Sequence, residues 1–181
     1  MLSEIAILNR ELFYCVLKDV LTNEKIISDR PEISNMDVSF SIIMPAHNRR
    51  YCISRAIDSL LAQSHYNYEL IIVDDGSTDN TEGLISEKYR EQLHVGKIKY
   101  FRINKSGVSC ARNHGLRQAK NDWIGYLDTD NVLMPCFFNV FVKEISAHKE
   151  IDVFYGSAIN SSNYRCGRDV TYKMLTFSLI Y

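Results

Sequence analysis

Short apolar runs alternate with amphipathic stretches along residues 39 to 155, and this alternation constrains the fold more than any other feature of the chain. The apolar runs predict strands at residues 39–44, 68–74, 97–103, 122–127 and 151–155. Helical spacing of apolar residues predicts four helices between them, at about 49–61, 79–90, 108–119 and 135–148. Asp79 and Glu82 are placed as a capping pair at the start of the second of these helices. Strand and helix in regular alternation predict a doubly wound, mainly parallel α/β sheet with helices on both faces.

The first 38 residues are interpreted as a separate unit. Apolar side chains recur at helical spacing from Ile5 to Val20 and predict an amphipathic helix. Residues 23–38, interrupted by Pro31, predict a linker. Charged residues among the apolar ones argue against a signal peptide or a transmembrane segment. The chain is therefore expected to divide into residues 1–38 and an α/β domain at residues 39–181.

Cysteine usage and charge indicate a cytoplasmic protein that does not bind nucleic acid. The five cysteines are scattered, odd in number and without Cys-x-x-Cys spacing, which is typical of reduced thiols. A net charge of -1 without a Lys/Arg cluster lacks the positive footprint that nucleic acids require. We expect the first helix to pack on the domain or on a neighbour, with peripheral attachment to a membrane surface as the alternative.

Polar clusters follow four of the predicted strands. They lie at residues 45–48, 74–75, 104–107 and 128–130. Ligands of open parallel sheets bind outside the carboxyl ends of the strands, so we expect these clusters to share one edge. Four clusters that together contain four carboxylates favour a binding site over solvated loops.

The acidic turn at Asp128 and Asp130 predicts a site for a divalent metal. Carboxylates at i and i+2 point to the same side of an extended turn, and oxygen ligands suit Mn²⁺ or Mg²⁺. The sequence contains no glycine-rich loop that would cradle phosphates, so a diphosphate would be held through the metal. Asp75, at the end of its strand, could accept a hydrogen bond from the imide of uracil.

Four segments carry a resemblance to a known family. They are Ser41–Asn48, Glu69–Asp79, Gly107–Asn113 and Leu127–Asn131. In order and spacing these segments resemble glycosyltransferase family 2, over about residues 39–156. The resemblance implies a GT-A fold, which is a Rossmann-like α/β domain that binds a nucleotide-diphospho-sugar. It also implies inverting glycosyl transfer from a metal-bound donor, expected to be a UDP-sugar, to a saccharide or lipid-linked acceptor.

The same resemblance implies a role for each matching residue. Pro45, Ala46 and Asn48 would border the nucleoside, and Asp75 would bond the base. Asp128 would lie near the ribose and the metal, and Asp130 would be the principal ligand of Mn²⁺ or Mg²⁺.

Asp74 and Arg112 are assigned to the nucleotide site with an alternative for each. Asp74 could instead cap the turn that follows its strand. Arg112 matches the Ala-Arg-Asn segment of the family and could approach the base or the pyrophosphate, or form an internal salt bridge.

No residue of this chain is identified as catalytic. Family members place a catalytic base, usually an Asp, some tens of residues after the metal motif, so we expect the base beyond Tyr181. The apolar residues 171–181 carry no terminating signal and predict an element that is cut mid-course, in an incomplete chain.

Two other kinds of protein remain open at this point. One is a catalytically inactive nucleotide-sugar-binding or interaction module, which would bind the sugar nucleotide without turnover. The other is a phosphoacceptor receiver domain with Asp74 and Asp75 as its acidic pair and Asp130 as acceptor. A receiver would have the acidic pair after its first strand, whereas a strand and a helix precede it here.

Overall fold

A single six-stranded sheet organises the described part of the chain. The computed structural model describes residues 38–64, 67–135, 137–155 and 176–179, so the predicted first helix and linker lie outside it except for Val38. The strands are β1 Phe40–Ala46, β2 Tyr68–Asp75, β3 Ile98–Ile103, β4 Trp123–Tyr126, β5 Val153–Tyr155 and β6 Thr176–Leu179. The helices are α1 Ile53–Leu61, α2 Thr81–Lys88, α3 Arg90–His94, α4 Val108–Gln118 and α5 Phe137–Ala147.

The strands lie in the order β3-β2-β1-β4-β6-β5. Neighbours among β1 to β4 are parallel, and β6 is antiparallel to both β4 and β5. β2 is buried along its whole length, as expected for a central strand with helices on both faces. The predicted mainly parallel α/β sheet is thus confirmed.

The two faces of the sheet are covered by different helices. One core contains Ile42, Met44, Leu70 and Ile72 of the sheet with buried residues of α1 and α5, among them Ile57 and Phe138. On the other face, Ile71 and Val73 pack against Ala111 of α4. A Cβ atom at Gly115 would lie 2.5 Å from Cγ2 of Ile43, so the glycine allows α4 to sit close to β1.

The strand order at one end of the sheet was not predicted from the sequence. The apolar segment at 171–181 was expected to be a further element, but its place in the sheet was not predicted. Residues Thr176–Leu179 form β6, which inserts antiparallel between β4 and β5. The predicted strand at 151–155 therefore occupies the edge of the sheet as β5 and does not pair with β4.

The helix starts also differ in two places. The helix expected from Arg49 begins at Ile53, because residues 49–52 form a turn in which the Arg49 carbonyl accepts the N–H groups of Cys52 and Ile53. The capping pair expected from Asp79 and Glu82 is wrong. Asp79 accepts the Thr81 N–H at 3.1 Å, but Glu82 forms an ion pair with Arg102 of β3 instead of reaching back.

None of the helices in the described ranges is long and apolar enough to cross a lipid bilayer.

Candidate functional site

A cavity of about 330 Å³ opens at the carboxyl edge of the parallel strands. Its wall is formed by the ends of β1 and β2, the start of α4 and the turn after β4. The lining residues are Pro45, Ala46, His47, Arg49, Asp75, Val108, Ala111, Arg112, Asp128, Thr129 and Asp130. Six of the eight sequence-predicted site residues are therefore brought together, and Asn48 and Asp74 are not among the lining residues.

The acidic turn contributes both of its carboxylates to this cavity. Asp128 and Asp130 follow β4, which is held beside β1 in parallel register. The Asn131 N–H donates to the Asp128 carbonyl at 3.1 Å, and the side chains of Thr129 and Asn131 are buried. The backbone hydrogen bond and the two buried side chains therefore fix the turn, while Asp128 and Asp130 line the cavity.

Arg112 of α4 lies beside the first of these carboxylates. Its Nη2 donates to Asp128 Oδ1 at 3.0 Å, so the predicted salt-bridge alternative is present in the structure. Its Nε atom is buried and has no hydrogen-bond partner among the described residues. The part of the guanidinium side chain that lines the cavity is suited to bind an anionic ligand.

Asp75 is held in place by the start of α4. Its Oδ1 accepts the Ser106 N–H at 2.6 Å and its Oδ2 accepts the Gly107 N–H at 2.9 Å. Gly107 adopts φ 93, a left-handed conformation that other residues rarely take. These two backbone donors hold the carboxylate at the start of α4, and it retains lone pairs for a further donor.

Asp74 takes the turn-capping alternative. Its side chain is wholly buried, and its Oδ1 accepts the Ser77 N–H at 2.8 Å. Its Oδ2 accepts the Tyr100 hydroxyl, which together with burial raises the pKa of Tyr100. Asp74 and Asp75 point to opposite faces of the sheet, because they are adjacent residues of one strand, and the role of Asp74 at the nucleotide site stays a prediction.

Asn48 connects two loops. It adopts φ 52; its N–H donates to Ser77 Oγ and its Oδ1 accepts the Thr78 N–H, both at 2.8 Å. Asn48 thus fixes the β1 loop against the β2 loop, and its role at the nucleoside stays a prediction.

His47 lines the cavity but was not singled out from the sequence. Its Nδ1 lies 2.7 Å from the carbonyl oxygen of Asp75, which can only accept, so Nδ1 carries the proton. Its Nε2 lies 3.4 Å from Asn48 Nδ2. The only sequence signal was its position inside the predicted polar cluster at residues 45–48.

Arg49 is the second cationic residue of the cavity, and the sequence analysis missed it. Its Nη1 donates to the Tyr51 hydroxyl at 2.8 Å. Burial by itself would lower the pKa of Arg49, but the bond to Tyr51 and the nearby Asp130 carboxylate hold this pKa above its ordinary value. Arg49 and Arg112 therefore face the two carboxylates of the acidic turn.

The donor set fits a divalent cation that is shared with a ligand. Within residues 38–64, 67–135, 137–155 and 176–179, no group of three or more His, Cys, Asp or Glu is placed to hold a metal alone. Mg²⁺ is usually bound by one or two carboxylates together with substrate phosphates and water. Asp128 and Asp130 suit that arrangement.

Comparison with known sequences identifies the family. The sequence model described as Glycosyl transferase family 2 matches residues 41–178. The chain therefore belongs to glycosyltransferase family 2, a family of transferases. A curated relative, the minor teichoic acid biosynthesis protein GgaB of Bacillus subtilis, is 34% identical over 122 residues. That alignment covers 66% of this chain and 13% of GgaB.

Solved structures have the same fold. S. aureus TarS residues 1–349 in complex with UDP-GlcNAc is 31% identical, with a TM-score of 0.57 over 64% of this chain and 33% of that chain. The mannosyltransferase PcManGT of Pyrobaculum calidifontis, in complex with GDP-Man and Mn²⁺, has a TM-score of 0.59 at 20% identity, over 78% of this chain and 41% of that chain. These likenesses confirm the predicted GT-A fold.

Two consequences follow from the comparisons. The family match excludes the receiver-domain alternative, because the matched region contains both the acidic pair and the acidic turn.

The chain spans well under half the length of the curated relatives that it matches, from 13% of GgaB to 40% of GlyG of Streptococcus pneumoniae.

Proposed function

We propose that this domain binds the UDP-sugar donor of a glycosyl transfer in the cavity at the carboxyl edge of the sheet. The observation that carries the proposal is the meeting of three features in one cavity. These are the anchored carboxylate Asp75, the acidic turn Asp128–Asp130 and the guanidinium of Arg112. The UDP and UDP-GlcNAc complexes of the TarS domain, 31% identical to this chain, support the choice of nucleotide.

Asp75 and His47 are suited to bind the base. Uracil has an imide N–H at the position where cytosine has an acceptor, so an ionised carboxylate favours uracil. Asp75 is fixed by the Ser106 and Gly107 N–H groups and is 5% exposed, at the cavity wall. The His47 ring is held by the Asp75 carbonyl and offers an aromatic face against which a base can stack.

Asp128 and Asp130 would hold Mn²⁺ or Mg²⁺ at the diphosphate. When bound, this cation would neutralise the negative charge that develops on the departing UDP. Arg112 would contribute to the same end, because its Nη2 atom is bonded to Asp128 and its side chain lines the cavity. These three side chains would orient the diphosphate so that the anomeric carbon of the sugar faces the acceptor.

The transfer itself would be a displacement with inversion. An acceptor hydroxyl oxygen forms a bond to the anomeric carbon as the bond from that carbon to the UDP oxygen breaks, and a base removes the hydroxyl proton. No described residue is assigned as this base. The names of GgaB and of TuaG, a putative teichuronic acid biosynthesis glycosyltransferase of Bacillus subtilis, favour a saccharide or lipid-linked acceptor from the synthesis of a glycan polymer.

A binding module without turnover is the second candidate. It is favoured by one observation. The three carboxylates that line the cavity are already assigned to the uracil ring and to the cation, so none of them is left to act as general base. Under this alternative, the chain would bind UDP-sugar but would not release UDP in the presence of an acceptor.

Calorimetry with UDP tests the binding proposal directly. We expect UDP to bind in the presence of Mn²⁺ and to bind much more weakly after chelation with EDTA. CDP and GDP serve as matched ligands that carry the same diphosphate. Equal UDP affinity with and without Mn²⁺ would refute the cation assignment, whereas a preference for GDP or CDP would refute only the role of Asp75.

Turnover separates the two candidates. A radiolabelled UDP-sugar is incubated with this chain and a panel of sugar and lipid-linked acceptors. We expect slow transfer, because no described residue is assigned as the general base and loss of general-base assistance costs roughly 10²- to 10⁴-fold. No transfer to any acceptor, with donor binding intact, would favour the binding module.

A further inference from the structure

We propose that Arg49 is a donor-binding residue that balances the charge of Asp130 before a cation binds and then turns to the diphosphate of the donor. The inference rests on the proposed function, and it assigns a role to a residue that no sequence motif indicated. Arg49 would therefore oppose binding of the cation alone and favour binding of the cation together with the nucleotide.

The charges around the cavity provide the first argument. The lining contains the carboxylates Asp75, Asp128 and Asp130 and the guanidinium groups Arg49 and Arg112, so these five side chains carry a net charge of -1. A divalent cation alone would make the net charge of the cavity positive, whereas a cation together with a diphosphate would change this net charge little. The net charge of the cavity therefore favours binding of the cation and the diphosphate together over binding of the cation alone.

The contacts of the two arginines provide the second argument. Arg112 is bonded directly to Asp128 at 3.0 Å, and its Nε is buried, so its guanidinium is fixed. Arg49 forms no ion pair within 4.0 Å with a described carboxylate, and its Nη1 is held by the neutral hydroxyl of Tyr51, which is 63% exposed. A hydrogen bond to an exposed hydroxyl is readily replaced by hydrogen bonds to water, so Arg49 can leave Tyr51 at little cost.

The position of Arg49 in the chain provides the third argument. It follows directly after the polar cluster at the end of β1, and the hydrogen bonds of Asn48 fix the backbone before it. The Arg50 N–H donates to Asp79 Oδ2 at 2.9 Å and fixes the backbone after it. The backbone is therefore rigid on both sides while the long Arg49 side chain can reorient within the cavity.

The neighbouring arginine offers a matched control. Arg50 has the same charge, is exposed and does not line the cavity, and its Nη1 donates to the Asn80 carbonyl at 3.3 Å. Arg49→Gln and Arg50→Gln thus remove the same charge at adjacent positions. Arg49→Lys keeps the charge but loses the planar fork that binds phosphate oxygens in pairs.

The test measures two affinities in each variant. Binding of Mn²⁺ without nucleotide is followed by the loss of the free-ion signal in electron paramagnetic resonance, and UDP binding at saturating Mn²⁺ is followed by calorimetry. For Arg49→Gln we expect Mn²⁺ alone to bind about fivefold more tightly, because a competing positive charge has gone. We expect UDP to bind about tenfold more weakly, because one charge-assisted contact has gone.

Effects of opposite sign distinguish this role from a structural one, which would weaken both affinities. Arg49→Lys should leave the Mn²⁺ affinity unchanged and lower the UDP affinity less than Arg49→Gln, and Arg50→Gln should change neither. Two parallel decreases in Arg49→Gln, no change, or an equal effect of Arg50→Gln would each overturn the inference alone. Absence of Mn²⁺-dependent UDP binding in the unaltered chain would overturn the proposed function and this inference with it.

Discussion

Glu69 and Asp75 are buried carboxylates at the two ends of β2, on the same face of the sheet, with helix α4 lying between them. Asp75 accepts N–H groups from residues just before α4, and Glu69 accepts the Lys120 N–H at 2.9 Å just after it. The two carboxylates therefore have similar burial and similar backbone donors. They differ in what lies beyond those donors.

At Glu69 the protein supplies every partner. Its Oε1 accepts the Ser41 hydroxyl at 2.7 Å, and its Oε2 forms an ion pair with Lys99. At Asp75 the same edge of the sheet continues into a cavity with two further carboxylates. A buried carboxylate thus has a structural role when other residues of the protein supply its hydrogen bonds and its counter-charge. It indicates a binding site when the carboxylates around it outnumber the positively charged side chains.

The largest effect is expected at the satisfied carboxylate. Glu69→Ala would leave Lys99 and Ser41 without their partner inside the fold, and we expect the free energy of unfolding to fall by about 3 kcal/mol. Chemical denaturation measures this change. The affinity of the folded variant for UDP and Mn²⁺ should be unchanged, and a loss of affinity equal to that of a cavity variant would break the contrast between the two ends of β2.

The acidic turn should show the reverse. Asp130→Ala removes a proposed cation ligand, and we expect the affinity for UDP with Mn²⁺ to fall about 100-fold. Asp74→Ala is the paired variant and should mainly lower the melting temperature, because Asp74 caps the turn at Ser77 from a wholly buried position. Melting curves and calorimetry on both variants measure these effects. If Asp130→Ala lost stability and kept its affinity, the roles assigned to Asp130 and Asp74 would be reversed.

Gly115→Ala tests whether α4 links the two ends. The new methyl group would lie 2.5 Å from Ile43 Cγ2, and such overpacking costs about 1–3 kcal/mol. Alanine favours the helix by about 1 kcal/mol over glycine, so we expect a net loss of about 1 kcal/mol in stability. A shift of α4 would also move the donors to Asp75, so UDP should bind a few-fold more weakly, by calorimetry.

That coupling has its own control. Gly96 adopts φ 74 but has no atom within 4 Å of a built Cβ, so Gly96→Ala should lower stability through backbone strain without changing UDP affinity. Equal affinity losses in the two glycine variants would show that α4 does not transmit the change.

The smallest effect is a dependence of stability on pH. Burial would raise the pKa of Glu69, but hydrogen bonds from Lys99, Ser41 and the Lys120 N–H hold it below its ordinary value. A lowered carboxyl pKa contributes stability above the pKa of the unfolded chain, and this stability is lost as pH falls through the folded pKa. In denaturation between pH 7 and pH 3, Glu69→Gln should therefore lose less stability than the unaltered chain.

The sequence predicted most of the secondary structure and six of the residues that line the cavity. Alternating strand and helix patterns were sufficient for the strands β1 to β4 and for α1, α2 and α4, because hydrophobic periodicity is a local property, but they did not predict the short helix α3. Family motifs were sufficient to select Pro45, Asp75, Arg112 and the acidic turn. The expected capping role of Glu82 was wrong, since a long-range ion pair with Arg102 competed with the local contact.

The pairing of distant residues was decided only by the tertiary structure. Local pattern does not show that β6 inserts between β4 and β5, because strand order depends on contacts made after the chain returns to the sheet. Nor does it distinguish Asp74 from Asp75, since the two are adjacent in sequence and face opposite sides of the strand. The family and the acidic residues could thus be predicted from sequence, whereas the partner of each carboxylate, and the presence of Arg49 at the cavity, came from the packing of separate segments around one edge of the sheet.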